Sequence, residues 1–113
     1  MKYSFTLFLL LYSISLFSQT HFKEQILNTS WVFKYDGQWL DAKIPGSNYA
    51  DLLHHHIILD PYVGTNEDSV QWVKNKTWEY QTEFIPSQDL LDQETKELVF
   101  EGLDTYAEVF LNG

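Results

Sequence analysis

The sequence predicts an all-β domain, a sandwich of short antiparallel strands with one short helix. Two observations carry this prediction. Short segments in which apolar and polar residues alternate are separated by turn signals built from Gly, Pro and Asp. Aromatic residues make up 17% of the chain, and these residue types favour strands. With 113 residues, the chain is long enough for one small domain.

The first two strands are predicted to form a hairpin. Residues 31–35 alternate, with Trp31, Phe33 and Tyr35 on one face. Asp36-Gly37 is a turn signal, and residues 38–44 follow as the second strand. Pro45-Gly46-Ser47 ends that strand, because proline lacks the N–H that a ladder needs.

The single predicted helix covers residues 50–59. Leu52 and Leu53 lie on one side of it, and Asp51 falls in the first turn, where the helix dipole favours a negative charge. Asp60-Pro61 ends the helix, and residues 61–77 are predicted to form a long irregular segment. Because this segment carries Tyr62 and Trp72, we expect an ordered loop.

Three further strands are predicted in the second half of the chain. The clearest is 78–85, followed by a polar connection with a helical turn at 89–91, and then by strands at 97–101 and 107–111. Asn112-Gly113 is a strong hairpin signal, which predicts a returning strand. We therefore expect the chain to be a fragment, incomplete at its C-terminal end.

Residues 1–18 have the organisation of a signal peptide. Lys2 precedes an apolar run centred on residues 7–11, and Ser18 lies at the expected cleavage point. A membrane anchor is the alternative, but the run is shorter than the ~20 residues that a spanning helix needs. The prediction is a secreted or periplasmic protein (lysosomal in a eukaryote) that does not insert in a membrane, with its domain at 19–113.

The charge balance argues against a nucleic-acid partner. There are 16 acidic and 7 basic residues, a net charge of −9, and every basic residue is lysine. Nucleic-acid binding requires a basic face that neutralises phosphates. The chain has no cysteine, so neither disulfides nor thiolate metal sites are expected. A neutral sugar is compatible with this charge.

Two clusters invite functional hypotheses. His54-His55-His56 suggests a metal site, but consecutive helical residues are about 100° apart and do not converge on one ion. No metal or cofactor is therefore predicted, and the histidines are interpreted as a polar helix end. Asp60 and Glu67-Asp68 are interpreted first as solvated loop charges. The alternative is contact with a ligand, because an amide and aromatic rings accompany these acids, centred on Asn66, Glu67 and Trp72.

Most of the aromatic residues at strand spacing are predicted to lie in the core rather than on a carbohydrate-binding platform. They are Trp31, Trp39, Trp78, Tyr80 and Phe84.

Several stretches together resemble the N-terminal domain of the β-mannosidases of glycoside hydrolase family 2. They occur in the family's order and cover nearly all of the chain after residue 18. The stretches are Trp31-Val32-Phe33, Ile44-Pro45-Gly46-Ser47, Asp51-Leu52-Leu53, Asp60-Pro61-Tyr62-Val63-Gly64-Thr65-Asn66-Glu67, Gln71-Trp72-Val73, Trp78-Glu79-Tyr80 and the block from Gly102 to Gly113.

The resemblance implies a jelly-roll sandwich, similar to galactose-binding modules, followed by an immunoglobulin-like domain and a catalytic (β/α)₈ barrel. The implied reaction is retaining hydrolysis of terminal β-linked mannose from oligosaccharides or glycoproteins. The catalytic residues would lie on the barrel, so none is expected among these 113 residues. Asp60, Asn66, Glu67 and Trp72 are expected near the substrate or at an interdomain contact.

Two alternatives stay open at this point. One is a secreted, non-enzymatic carbohydrate-binding module. The other is a different glycosidase of the same hydrolase family, similar to β-galactosidases or glucuronidases.

Overall fold

A computed structural model describes residues 22–113, and the predicted signal peptide lies outside these described residues. The described part contains three strands, three α-helices and one 3₁₀ helix. In chain order they are β1 (Val32–Tyr35), β2 (Gln38–Asp41), α1 (Asn48–His54), α2 (Asn66–Ser69), the 3₁₀ helix (Gln71–Asn75), β3 (Tyr80–Gln81) and α3 (Gln88–Leu91).

The predicted hairpin at the start of the domain is confirmed. β1 and β2 pair antiparallel, with Val32 opposite Asp41 and Tyr35 opposite Gln38. The two turn residues have positive φ, 48° at Asp36 and 79° at Gly37, as a two-residue type I′ turn requires.

The second strand ends at Asp41, before the predicted end at residue 44. Ala42 N–H still donates to the Trp31 carbonyl at 2.9 Å, but Lys43 N–H donates to the Asp51 carboxylate at 3.0 Å. The strand therefore ends where the Asp51 side chain of the helix, instead of β1, accepts the backbone N–H.

β3 completes an antiparallel sheet in the order β2-β1-β3. The prediction of a strand over 78–85 is correct in place but too long, because the strand covers Tyr80–Gln81, with the Glu79 carbonyl accepting from Lys34 N–H of β1 at 2.9 Å. Ser30 has a φ of 60°, which turns the chain before β1 out of the ladder. Thr82 then donates its hydroxyl to the Thr29 and Ser30 carbonyls, both at 3.3 Å.

The prediction of a single helix is wrong. α1 begins at Asn48 because the Ser47 hydroxyl accepts from Ala50 N–H at 3.2 Å, and it ends at His54, short of residue 59. The segment 61–77, predicted to be irregular, contains α2 and the 3₁₀ helix. Local i to i+3 bonds, such as Val73 N–H to the Val70 carbonyl at 3.0 Å, satisfy its backbone without a strand partner. The helical turn predicted at 89–91 is confirmed as α3.

The core joins the sheet to α1 and to the segment that follows it. Its five buried apolar residues are Phe33, Leu52, Ile58, Val70 and Val73. Trp78 and Tyr80 pack against it, as predicted. Trp31, Trp39 and Phe84 do not belong to it, and Trp39 and Phe84 are 44% and 37% exposed. The prediction that most of the five aromatic residues lie in the core is therefore wrong. Trp39 lies on β2, an edge strand of the sheet.

The strands predicted at 97–101 and 107–111 are not formed. Alternation favours an extended chain, but a strand also needs a partner for its N–H and C=O groups. Leu98 and Val109 are 45% and 50% exposed. The predicted turn residues Asn112 and Gly113 do have positive φ, 61° and 96°. Within residues 22–113 there is one sheet, so the sandwich stays a prediction.

Among the helices of the described residues, none is both long and apolar enough to cross a membrane.

Candidate functional site

Two of the four predicted site residues close a loop. Asp60 Oδ1 accepts from Tyr62 N–H at 2.9 Å, while the Asp60 carbonyl accepts from Asn66 Nδ2 at 3.0 Å and from Val63 N–H at 3.2 Å. Such side-chain bonds to the local backbone hold a turn in one conformation. Asp60 and Asn66 therefore shape the loop, and one N–H of the Asn66 amide donates within it.

Glu67 is placed differently. It lies exposed in the first turn of α2, and its carbonyl accepts from Gln71 Nε2 at 3.0 Å. Within the part of the chain that the structure describes, no hydrogen bond or ion pair engages its carboxylate. The Glu67 carboxylate is therefore exposed to solvent, as is that of Asp68.

An apolar tip lies beside these polar residues. Tyr62 is 96% exposed, and Leu59 and Val63 are 67% and 59% exposed. The loop held by Asp60 and Asn66 carries Tyr62 and Val63, and Leu59 lies immediately before it. Large apolar side chains displayed together on an ordered loop are typical of a contact surface.

Trp72 packs in an aromatic cluster. Its ring lies 6.4 Å from that of Tyr35 and 6.1 Å from that of Trp78, measured between centroids. Among the contacts found within residues 22–113, none joins Trp72 to Asp60, Asn66 or Glu67. The structure brings Asp60 and Asn66 together, whereas the ring of Trp72 packs against those of Tyr35 and Trp78.

A lysine that sequence reasoning did not single out lies over this aromatic cluster. Lys76 Nζ is 5.1 Å from the ring centroid of Tyr35, 5.4 Å from that of Trp72 and 5.6 Å from that of Trp78. These are cation–π distances. Trp72, Lys76 and Trp78 are close in the sequence, but only the fold adds the ring of Tyr35 from β1.

The one charged side chain that is buried in residues 22–113 is Asp51, at 3% exposure. Its Oδ1 accepts from Lys43 N–H at 3.0 Å, and its Oδ2 accepts from the Tyr80 hydroxyl at 2.9 Å. Burial raises the pKa of Tyr80 well above its ordinary value, and the hydrogen bond and charge of Asp51 raise it further. The carboxylate therefore connects the chain after β2, α1 and β3.

The histidine run forms the end of α1, as predicted. His54 is its last residue, and it lines a cleft of about 210 Å³ together with Asp41, Lys43 and Asp51. The His55 ring packs 5.7 Å from that of Phe33, and its Nε2 lies 2.7 Å from the Asp41 carbonyl. A carbonyl only accepts, so Nε2 carries the hydrogen. No group of three His, Asp or Glu side chains suited to a metal occurs among residues 22–113.

Comparison with known proteins gives a consistent result. The model of the family described as glycosyl hydrolase 2 galactose-binding domain-like matches residues 21–113. β-Mannosidase A of Emericella nidulans is 45% identical over 73 residues, which are 64% of this chain and 8% of that protein. β-Mannosidase B of Thermothelomyces thermophilus is 38% identical over 92 residues, 77% of this chain and 11% of that protein. Mouse β-mannosidase is 36% identical over 73 residues, 65% of this chain and 8% of that protein.

The chain thus spans only 8% to 11% of the length of these three relatives. Each relative is long enough to hold further domains.

Proposed function

Because the chain belongs to the glycosyl hydrolase 2 galactose-binding domain-like family, we propose that it is the N-terminal, non-catalytic domain of a secreted β-mannosidase. The observation that carries the proposal is the match over residues 21–113 together with relatives that are named β-mannosidases. Those relatives favour a β-mannosidase over a β-galactosidase-like or glucuronidase-like enzyme.

In this proposal the full protein hydrolyses terminal β-D-mannose residues of oligosaccharides or glycoproteins, with retention at the anomeric carbon. The catalytic carboxyl groups lie outside these 113 residues, on a (β/α)₈ barrel that follows an immunoglobulin-like domain. Relatives about ten times longer than the matched segment provide room for both domains. Further strands then complete the sheet observed here into a jelly-roll sandwich.

The role proposed for this domain is to support the active site. Asp60 and Asn66 fasten the loop, Glu67 presents a carboxylate, and the core residues Val70 and Val73 hold the following segment against the sheet. We propose that the loop contacts the catalytic domain near the substrate. A loop supported by a rigid scaffold can hold a neighbouring active site in its productive geometry.

An activity assay tests the function. The full-length protein is incubated with aryl β-mannoside, aryl β-galactoside and aryl β-glucuronide, and release of the aryl group is measured. Proton NMR of the first sugar formed from the mannoside reports its anomeric configuration. We expect cleavage of the mannoside with the β-anomer appearing first.

Three results would contradict the proposal. Preferred cleavage of the galactoside or glucuronide would assign another glycosidase activity. Binding of mannose oligosaccharides without any cleavage would indicate a binding module. A reporter fused after residues 1–18 that stays in the cytoplasm would contradict secretion.

A further inference from the structure

The aromatic cluster around Lys76 has the organisation of a cation-binding cage. Tyr35, Trp72 and Trp78 come from β1, from the 3₁₀ helix and from the residue two positions before β3. Their ring centroids are 6.1 to 6.5 Å apart, and the rings of Tyr35 and Trp78 are nearly parallel, at 9°. The Lys76 ammonium lies within 6 Å of all three centroids.

Hydrogen bonds and core packing fix the positions of the three rings. Trp78 Nε1 donates to the Val73 carbonyl at 3.0 Å, and Val73 is fully buried. Tyr35 lies beside the hairpin turn, where its backbone pairs with Gln38. All three rings are partly buried and pack against the core. The ring positions therefore depend on the fold and not on the lysine alone.

The occupant of the cage is bound by the rings. The two ion pairs found within residues 22–113 are Lys23 with Asp89 and Lys34 with Glu79, so Lys76 has no carboxylate partner there. Lys34 offers a comparison, because its ammonium lies over one ring, that of Trp39 at 5.5 Å, and also binds a carboxylate at 3.1 Å. Three ring faces replace that carboxylate at Lys76.

We propose that Tyr35, Trp72 and Trp78 form a binding site for an organic ammonium group, and that Lys76 is its intramolecular occupant. The occupied site fastens the segment after α2 to the hairpin of β1 and β2. The ligand class follows from the rings, because their negative faces attract a weakly hydrated alkylammonium through its whole surface. This site is independent of the proposed glycosidase function.

Removal of the occupant opens the site to an outside ligand. In the full-length protein, Lys76→Ala is titrated with tetramethylammonium chloride while tryptophan fluorescence is followed, with tert-butanol as the neutral ligand of similar shape and NaCl as the salt control. We expect saturable binding of tetramethylammonium, about tenfold tighter than tert-butanol. The wild-type protein and Lys76→Ala combined with Trp72→Leu should show no saturation.

A second series tests the fastening role without an added ligand. Lys76→Arg keeps a cation over the rings and should keep the wild-type melting temperature, whereas Lys76→Met keeps the length without the charge and should lower it by several degrees. The proposal is overturned if Lys76→Met has the melting temperature of the wild type. It is equally overturned if Lys76→Ala with an unchanged near-UV circular dichroism spectrum binds no tetramethylammonium, or binds tert-butanol as tightly.

Discussion

At the scale of single residues, Asp51 has the greatest consequence for the fold. Its carboxylate is buried, and both of its oxygens accept hydrogen bonds, one from Lys43 N–H and one from the Tyr80 hydroxyl. A buried charge is tolerated only when it is satisfied in this way. The Tyr80 ring also lies 5.9 Å from that of Phe33, so the polar network borders the apolar core.

Removing the Asp51 carboxylate should destabilise the domain strongly. Asp51→Ala leaves the Lys43 N–H and the Tyr80 hydroxyl without their acceptor, and we expect a loss of about 3 kcal/mol in the free energy of unfolding. Denaturant unfolding of the full-length protein measures it. Asp68→Ala, which removes an exposed acid of α2, is the matched control and should change little. Equal effects of the two substitutions would contradict the role of Asp51.

Tyr80 should make stability depend on alkaline pH. Its pKa is raised in the folded protein, by burial first and by Asp51 second, above an ordinary value of about 10. The unfolded chain therefore releases this proton at lower pH than the folded chain does. The contribution of Tyr80 is complete below about pH 10 and is lost as the pH rises from there toward the folded pKa.

Unfolding free energies measured from pH 8 to alkaline pH in the wild type and in Tyr80→Phe check this expectation. The wild type should lose stability more steeply above about pH 10, because phenylalanine has no proton to release. Parallel curves for the two proteins would contradict the coupling of Tyr80 to folding.

At the scale of elements, the connection from β2 to α1 is held by several local contacts. The chain leaves β2 at Asp41, and Ser47 caps the helix that begins at Asn48. Between them, a Cβ on Gly46 would overlap the Lys43 carbonyl oxygen. Lys43 is also the residue whose N–H binds Asp51, so backbone displacement there would disturb the buried network.

Gly46→Ala should therefore destabilise the domain by about 2 kcal/mol, the typical cost of forcing an extra methyl group into a closely packed position. Thermal unfolding measures the change as a lower melting temperature. Gly102→Ala is the matched control, since a Cβ there meets no atom within 4 Å. If the two variants had the same melting temperature, the close contact at Gly46 would not constrain the connection.

At the scale of the whole molecule, the loop beside α2 is the surface that we propose for contact with a catalytic domain. Its backbone is fastened by Asp60 and Asn66, and its tip displays Tyr62 at 96% exposure. The segment that follows is held by the buried Val70 and Val73. In our proposal, this loop therefore keeps a fixed position relative to the catalytic domain.

Asn66→Ala and Glu67→Ala test this contact in the full-length protein. Asn66→Ala removes the bond to the Asp60 carbonyl and should cost about 1 kcal/mol of local stability. Glu67→Ala should lower kcat/KM on aryl β-mannoside severalfold or lower the melting temperature, because we propose that the Glu67 carboxylate contacts the catalytic domain. Asp68→Ala is the control. Wild-type kinetics and melting temperature in both variants would exclude the contact.

Prediction from the sequence succeeded where the determinants are local. The turn at Asp36-Gly37 requires positive φ, and both residues have it. The helical turn near residue 90 and the polar end of α1 also follow from neighbouring residues. The start of α1 was predicted two residues late, although the Ser47 cap was a readable signal.

Local patterns alone determined the hairpin, the presence of helix α1 and the motifs shared with β-mannosidases, because each depends on residues close together in the chain. Tertiary structure decided the rest. A strand exists only where a partner accepts its backbone bonds, so the alternating residues 97–113 stayed outside the sheet while Tyr80–Gln81 joined it. The fold likewise brought Tyr80 to Asp51 and Tyr35 to Lys76. These pairs are 29 and 41 positions apart in the sequence, and no local pattern encodes contacts at such separations.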